Sequence, residues 1–111
     1  MPKATMVVWS NPTEGADEAE YNQWYDDVHA RDVLKLEGFE RCLRYKVSDA
    51  QFGPVETPGS YVAVYQVDID DPSRIPSIMA DAFVAGALPM REDLLTPGPI
   101  VILDPVSELS A

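Results

Sequence analysis

The residues best suited to chemistry lie in one stretch, residues 20–39, which reads EYNQWYDDVHARDVLKLEGF. It contains His29, the only histidine of the chain, and Asp32 follows three positions later. In an α-helix, residues at this spacing are neighbours on one surface. An imidazole titrates near neutral pH, so a carboxylate beside it can orient it to take or give a proton. The pair predicts a general acid or base.

The rest of this helix is predicted to place the pair beside an apolar face. At about 100° per residue, Asp32 falls near the centre of that face and His29 on its flank. The other members of the face are Tyr21, Trp24, Tyr25 and Val28. Burying an unpaired carboxylate costs several kcal/mol, so Asp32 must be hydrogen-bonded, paired or protonated. We expect the hydroxyl of Tyr21 or Tyr25 to satisfy it.

A histidine–carboxylate pair and a tyrosine hydroxyl at the edge of an apolar pocket suit the removal of a proton next to a carbonyl group. His29 would act as acid or base, Asp32 would orient it, and Tyr21 or Tyr25 would stabilise the enolate oxygen. Four further residues are expected to contact a ligand: Trp24, Val28, Trp9 and Tyr65. The alternative is that His29 makes a hydrogen bond within the core and only tightens helix packing.

Composition narrows the classes of partner. The chain has 111 residues, which suits a single domain over 1–111. Its net charge of −11 repels phosphate backbones and anionic lipids, so nucleic acid and membranes are poor candidates. With no targeting segment or spanning-length apolar run, we expect a cytoplasmic protein. Cys42 is the only cysteine, and one histidine falls short of a metal-ligand set.

Hydrophobic periodicity and turn residues predict six elements in the order strand, helix, strand, strand, helix, strand. They cover residues 4–9, 17–36, 39–48, 61–67, 71–86 and 99–103, with a possible helical turn over 91–95. This order is that of an α+β, ferredoxin-like βαββαβ fold, a four-stranded antiparallel sheet with two helices on one face. The other sheet face would expose much apolar surface, so we expect a homodimer formed through sheet faces.

The motif YNQWYDDVHARDVLKLEGF, residues 21–39, resembles the signature helix of the dimeric α+β barrel proteins, particularly the EthD-like group. The shared pattern is a Tyr-Asn-x-Trp-Tyr start, an acidic pair, His, a further acidic residue and Gly-Phe at the exit. The resemblance implies a ligand cleft between the sheet and the helices of each subunit. Carried onto this chain, the cleft residues are His29, Tyr21, Tyr25, Trp24 and Asp32.

Proteins of this superfamily include cofactor-independent polyketide cyclases, lactone isomerases, monooxygenases and haem-degrading enzymes, so the fold does not choose a reaction. The sequence favours a cofactor-free isomerase, dehydratase or cyclase acting on a small hydrophobic carbonyl compound or aromatic intermediate. It leaves two alternatives open. One is a non-catalytic protein that binds a hydrophobic metabolite, and the other is a haem-binding or haem-degrading protein with His29 as the iron ligand.

Overall fold

The computed structural model describes residues 2–111, which form four strands and two helical regions. The strands are β1 (Ala4–Pro12), β2 (Phe39–Lys46), β3 (Tyr61–Val67) and β4 (Leu95–Leu103). The first helix consists of three consecutive segments, Glu18–Trp24, Tyr25–His29 and Ala30–Val33. A short 3₁₀ turn, Pro72–Arg74, leads into the second helix, Ile75–Val84.

The strands form one antiparallel sheet in the order β2-β3-β1-β4. Each helix therefore connects two parallel strands that have a third strand between them, which is the split βαβ arrangement. The ferredoxin-like α+β fold predicted from the element order is confirmed. Asp17 caps the first helix, since its carboxylate accepts from the Ala19 and Glu20 N–H groups.

Two predicted strand boundaries are wrong. β1 continues to Pro12 instead of ending at residue 9, and β4 begins at Leu95 instead of residue 99. The additional residues of the two strands pair with each other: Ser10 is opposite Pro97, and Pro12 is opposite Leu95. The register of the pairing shifts just before Ser10. β4 lies at the edge of the sheet, where a proline removes no hydrogen bond that the sheet needs. Turn-forming residues were therefore no barrier to strand pairing here.

The middle of the first helix is a π-helical turn, Tyr25–His29. Its closing hydrogen bond runs from the Ala30 N–H to the Tyr25 carbonyl, five residues back instead of four. A π turn takes up about one extra residue, so later side chains are set back by most of the 100° that one residue normally turns. This turn changes which residues of the helix face the sheet.

The core lies between the helices and one face of the sheet. On β3 the alternate residues Tyr61, Ala63, Tyr65 and Val67 are buried under the helices. The residues between them are only half-buried in the single chain. Within residues 2–111, no helix is long and apolar enough to cross a membrane.

Candidate functional site

A cavity of about 80 Å³ lies between the sheet and both helices. Its walls come from β1, β3, β4 and both helices, together with Met90 in the segment before β4. The lining residues are Met6, Val8, Trp9, Ser10, Tyr25, His29, Val33, Tyr65, Met79, Phe83, Met90, Leu95, Pro97, Gly98 and Ile100. Most are apolar, and the polar side chains among them are Ser10, Tyr25, His29 and Tyr65. This is the pocket type expected for a small, largely apolar ligand.

The π turn brings His29 to the centre of the buried face. Its side chain is 7% exposed, whereas Val28 is 41% exposed. The sequence analysis placed Val28 on the dry face, Asp32 at its centre and His29 on its flank, and this arrangement is wrong. It assumed 100° per residue throughout, and the extra residue of the π turn rotates His29 and Val33 inward while Val28 and Asp32 move outward.

Asp32 does not form the predicted hydrogen bond with His29. Its side chain is 20% exposed, and its carboxylate lies 3.6 Å from Lys35 Nζ. The charge of Asp32 still acts on His29 through space, since it raises the pKa of the imidazole. Asp32 is therefore an electrostatic neighbour at the rim of the site and does not hold the imidazole.

His29 is held by aromatic rings instead. Its ring stacks on Trp24 with a centroid distance of 5.1 Å and meets Tyr25 edge-on at 5.0 Å. Burial is the largest influence on its pKa and lowers it below the ordinary value of 6.5, aided by the positive charge of Arg44. The imidazole is therefore neutral at pH 7, with one ring nitrogen free to accept a proton.

Three buried polar atoms in this site have no hydrogen-bond partner among residues 2–111. They are Tyr25 Oη, His29 Nδ1 and Tyr65 Oη. All three belong to residues that line the cavity. Buried polar groups without partners are rare, and each calls for an explanation such as a bound ligand or water.

The two phenols remain protonated over the whole physiological range. Burial is the largest cause of the raised pKa of Tyr25 and of Tyr65, and the proximity of Tyr25 raises the pKa of Tyr65 further. A protonated phenol can donate a hydrogen bond. The cavity therefore offers two hydroxyl donors and one neutral imidazole in an apolar surrounding.

Tyr21, predicted to act beside Tyr25, lies outside the cavity lining. Its hydroxyl is 2.6 Å from Ser10 Oγ, and both residues are buried. The expectation that Tyr21 or Tyr25 satisfies Asp32 is therefore wrong, because Tyr21 bonds Ser10 and the Tyr25 phenol interacts with the phenol of Tyr65 and not with Asp32. Tyr21 supports the site by holding the start of the helix against β1.

The four predicted ligand contacts divide evenly. Tyr65 and Trp9 border the cavity, although the pairing of Trp9 with Val62 assigns the indole to the opposite sheet face. Trp24 packs behind His29, and it borders, together with Val28, a surface depression away from the cavity. A ligand in the cavity would contact Tyr65 directly. It would not contact Trp24, which lies on the other side of His29.

Several lining residues were missed by the sequence analysis. Ser10 was taken as a turn residue, yet the alternation of Ala4, Met6, Val8 and Ser10 carries the inward face to position 10. Met79 and Phe83 stand four apart on the second helix, which is the spacing of neighbours on one face. Both signals were present in the sequence. Met90 and Leu95 belong to a segment without clear periodicity, which gave no such signal.

An apolar groove of about 360 Å³ adjoins the cavity along the second helix. The two spaces share Met6, Met79, Phe83 and Ile100. Methionine side chains are unbranched and adapt their shape easily. The shared wall can therefore adjust to a ligand that extends from the cavity into the groove.

Comparison with solved structures identifies relatives in shape. HapK from Hahella chejuensis has a TM-score of 0.66 and 15% sequence identity, over 97% of each chain. An ethyl tert-butyl ether D (EthD) family protein from Bacillus halodurans has a TM-score of 0.58 and 17% identity, covering 96% of this chain and all of that one. No protein-family model and no curated protein matches the sequence. The fold that the resemblance implied is thus confirmed: the chain has a ferredoxin-like α+β fold similar to that of HapK and of the EthD family protein.

Proposed function

We propose that this protein is a cofactor-independent acid/base enzyme of the isomerase, dehydratase or cyclase type. Its substrate is a small hydrophobic carbonyl compound or aromatic intermediate bound between the first helix and the sheet. The observation that carries the proposal is the set of three unpartnered polar atoms on Tyr25, His29 and Tyr65 around one apolar cavity. A carbonyl substrate supplies the acceptor that the two phenols lack.

The first chemical step is removal of a proton next to the carbonyl group. The C–H bond breaks, the proton moves to the free nitrogen of His29, and the electron pair moves onto the carbonyl oxygen as an enolate. Tyr25 and Tyr65 donate hydrogen bonds to that oxygen, where the negative charge develops. Return of the proton to another carbon, loss of a leaving group or attack on a second carbonyl then gives isomerisation, elimination or ring closure.

The size of the cavity limits the substrate. About 80 Å³ exceeds the 10–15 Å³ or so that one water needs, but it is below the roughly 300 Å³ of a drug-sized pocket. The cavity therefore suits a small ring or the reactive end of a longer molecule. The remainder of a longer substrate would lie in the adjoining groove.

The proposal is tested by hydrogen–deuterium exchange at the α-carbon of simple ketones. Cyclohexanone and acetophenone in D₂O are followed by proton NMR with and without the protein. The wild type is expected to accelerate exchange, and His29→Ala is expected to lower the protein-dependent rate by about 10² to 10⁴. Asp27→Asn, at an exposed position of the same helix, is the matched control and should retain the rate. Equal rates for His29→Ala and wild type would contradict the mechanism.

A non-catalytic binding protein remains the alternative, since the same cavity could simply hold a hydrophobic metabolite. It predicts that the ketones perturb the His29 imidazole NMR signals without any acceleration of exchange. Haem binding is less well supported, because a porphyrin is far larger than the cavity. A Soret band on haem titration would overturn that judgement.

We further propose that two copies pair through the sheet face that the helices leave open. In the single chain this face carries half-buried or exposed apolar side chains, namely Val7, Trp9, Leu43, Tyr45, Val62, Val64, Val101 and Leu103. An exposed apolar patch of this extent usually marks an interface.

The pairing is tested at Val62, which lies between Trp9 and Tyr45 in the sheet register. Val62→Glu places a charge in the middle of the open face and is expected to shift sedimentation from dimer to monomer at micromolar concentration. Gln23→Glu, exposed on the first helix, adds the same charge elsewhere and should leave the dimer intact. A monomeric wild type would contradict the proposal.

A further inference from the structure

Arg44 is a cation held against the buried aromatic cluster. It lies on β2 with its side chain only 13% exposed. Its Nη2 donates to Asn22 Oδ1 and its Nη1 to Asp26 Oδ1, each at 2.9 Å. Both anchors belong to the first helix, and each holds a different nitrogen of the guanidinium group.

The guanidinium lies over the ring of Tyr25. The Arg44 Cζ atom is 4.1 Å from the centroid of that ring, and it is 5.5 Å from the centroids of Tyr21 and Tyr61. A cation at this distance over an aromatic ring is attracted by the negative face of the ring. Tyr25 thus has a fixed cation on its face and His29 edge-on at 5.0 Å.

We propose that Arg44 is a positioning residue that holds Tyr25 toward the cavity and whose charge disfavours protonation of His29. This inference rests on the proposed function and adds a residue from β2, the one strand that does not line the cavity. Arg44 acts through Tyr25 and through its charge. It does not touch a ligand in the cavity.

Two charges of opposite sign act on His29. From the first helix, Asp32 favours the protonated imidazole, and from β2, Arg44 disfavours it. The cavity residues of β1, β3, β4 and the second helix contribute no charged side chain, and their one titratable group is the phenol of Tyr65. Removal of Arg44 leaves burial as the remaining influence that opposes the charge of Asp32, so His29 should become easier to protonate.

The test uses the fact that the chain has a single histidine. A pH titration followed by imidazole NMR reports the pKa of His29 without overlap from another residue. Arg44→Met is expected to raise this pKa, because a positive charge is removed at nearly constant volume. Arg31→Met is the matched control: it removes the same charge from an exposed site two residues from His29, where solvent screens it.

Arg44→Lys separates charge from anchoring. Lysine keeps the positive charge but cannot form the two-pronged bond to Asn22 and Asp26. The pKa of His29 should then stay near the wild-type value, while the near-UV circular dichroism of the tyrosines weakens and cyclohexanone exchange falls by roughly 3- to 30-fold. This variant also keeps the proposal testable if Arg44→Met does not fold.

Two results would overturn the inference. One is a His29 pKa that is the same in Arg44→Met and Arg31→Met, and the other is full tyrosine dichroism in Arg44→Lys. Neither readout depends on turnover. If they move as expected while no ketone undergoes exchange, Arg44 positions the cluster as inferred and the enzymatic proposal is what fails.

Discussion

Two ends of one buried aromatic cluster differ in how their polar atoms are satisfied. At the start of the first helix, the Tyr21 hydroxyl pairs with Ser10 Oγ, and the Tyr61 hydroxyl donates to the Glu18 carboxylate while it accepts from Asn22 Nδ2. At the other end, the hydroxyls of Tyr25 on the first helix and Tyr65 on β3 and the Nδ1 atom of His29 have no well-formed hydrogen bond among residues 2–111. We call these the satisfied end and the open end.

The difference indicates that the two ends have different roles, one structural and one in ligand binding. Each unpaired buried polar group costs about 1–3 kcal/mol, and the same cluster demonstrates that tyrosines on this helix can find partners. The open end coincides with the cavity and with the π turn, and π turns are frequent at functional sites. The satisfied end therefore holds the structure together, and the open end keeps its polar groups for a ligand.

The satisfied end is expected to be sensitive to the spacing between β1 and the loop before β3. A Cβ atom at Gly59 would lie 2.7 Å from the Ser10 carbonyl oxygen, which is backbone and cannot move easily. Gly59→Ala should lower the free energy of unfolding by about 2–4 kcal/mol in urea melts. Gly53→Ala, in the same loop with nothing within 4 Å, is the control and should be nearly neutral. Equal stability of the two variants would contradict this account of the satisfied end.

The hydrogen bond between Tyr21 and Ser10 should have a measurable effect on stability. Tyr21→Phe leaves the buried Ser10 hydroxyl unpaired, so we expect a loss of about 1–2 kcal/mol in the free energy of unfolding. Ser10→Ala should cost a similar amount. The double variant should cost less than the sum, because only the first change breaks the bond. Additive losses would indicate that the two hydroxyls do not interact.

The open end should make stability depend on pH in a direction opposite to that of a salt-bridged histidine. Burial lowers the pKa of His29 in the folded protein, so below about pH 6.5 the unfolded chain binds a proton that the folded protein resists. Stability therefore falls as the pH drops from 6.5 toward the lowered pKa. The difference in unfolding free energy between wild type and His29→Gln should change over this window and stay constant above it. A constant difference at all pH values would contradict a lowered pKa.

Much of the fold could be predicted because its signals are local. The Asp17 cap, the left-handed Gly38 and the alternation along β3 all act within a few residues. The ends of β1 and β4 could not be predicted in this way, since they depend on pairing between strands distant in sequence. Pairing with a neighbouring strand overrode the turn preference of residues 10–12.

The site was predicted in outline but not in detail. The importance of His29 and Tyr25 followed from residue type and helical spacing. The neighbours of these two side chains could not be predicted, because nothing in the sequence marks the π turn that moves Asp32 outward and His29 inward. Arg44 was likewise read only as a polar strand residue, since its contact with Tyr25 depends on how β2 packs against the helix.

The comparison between the two ends is tested most directly by removing one hydroxyl from each. Tyr21→Phe and Tyr25→Phe are the same chemical change, four residues apart on one helix, measured by urea unfolding and by cyclohexanone exchange. We predict that Tyr25→Phe does not lower the free energy of unfolding and raises it by up to about 1–3 kcal/mol, since it removes an unpaired buried hydroxyl, and that it slows exchange at least roughly tenfold. Loss of stability in Tyr25→Phe equal to that in Tyr21→Phe, with exchange unaffected, would mean that the open end is structural and holds no substrate.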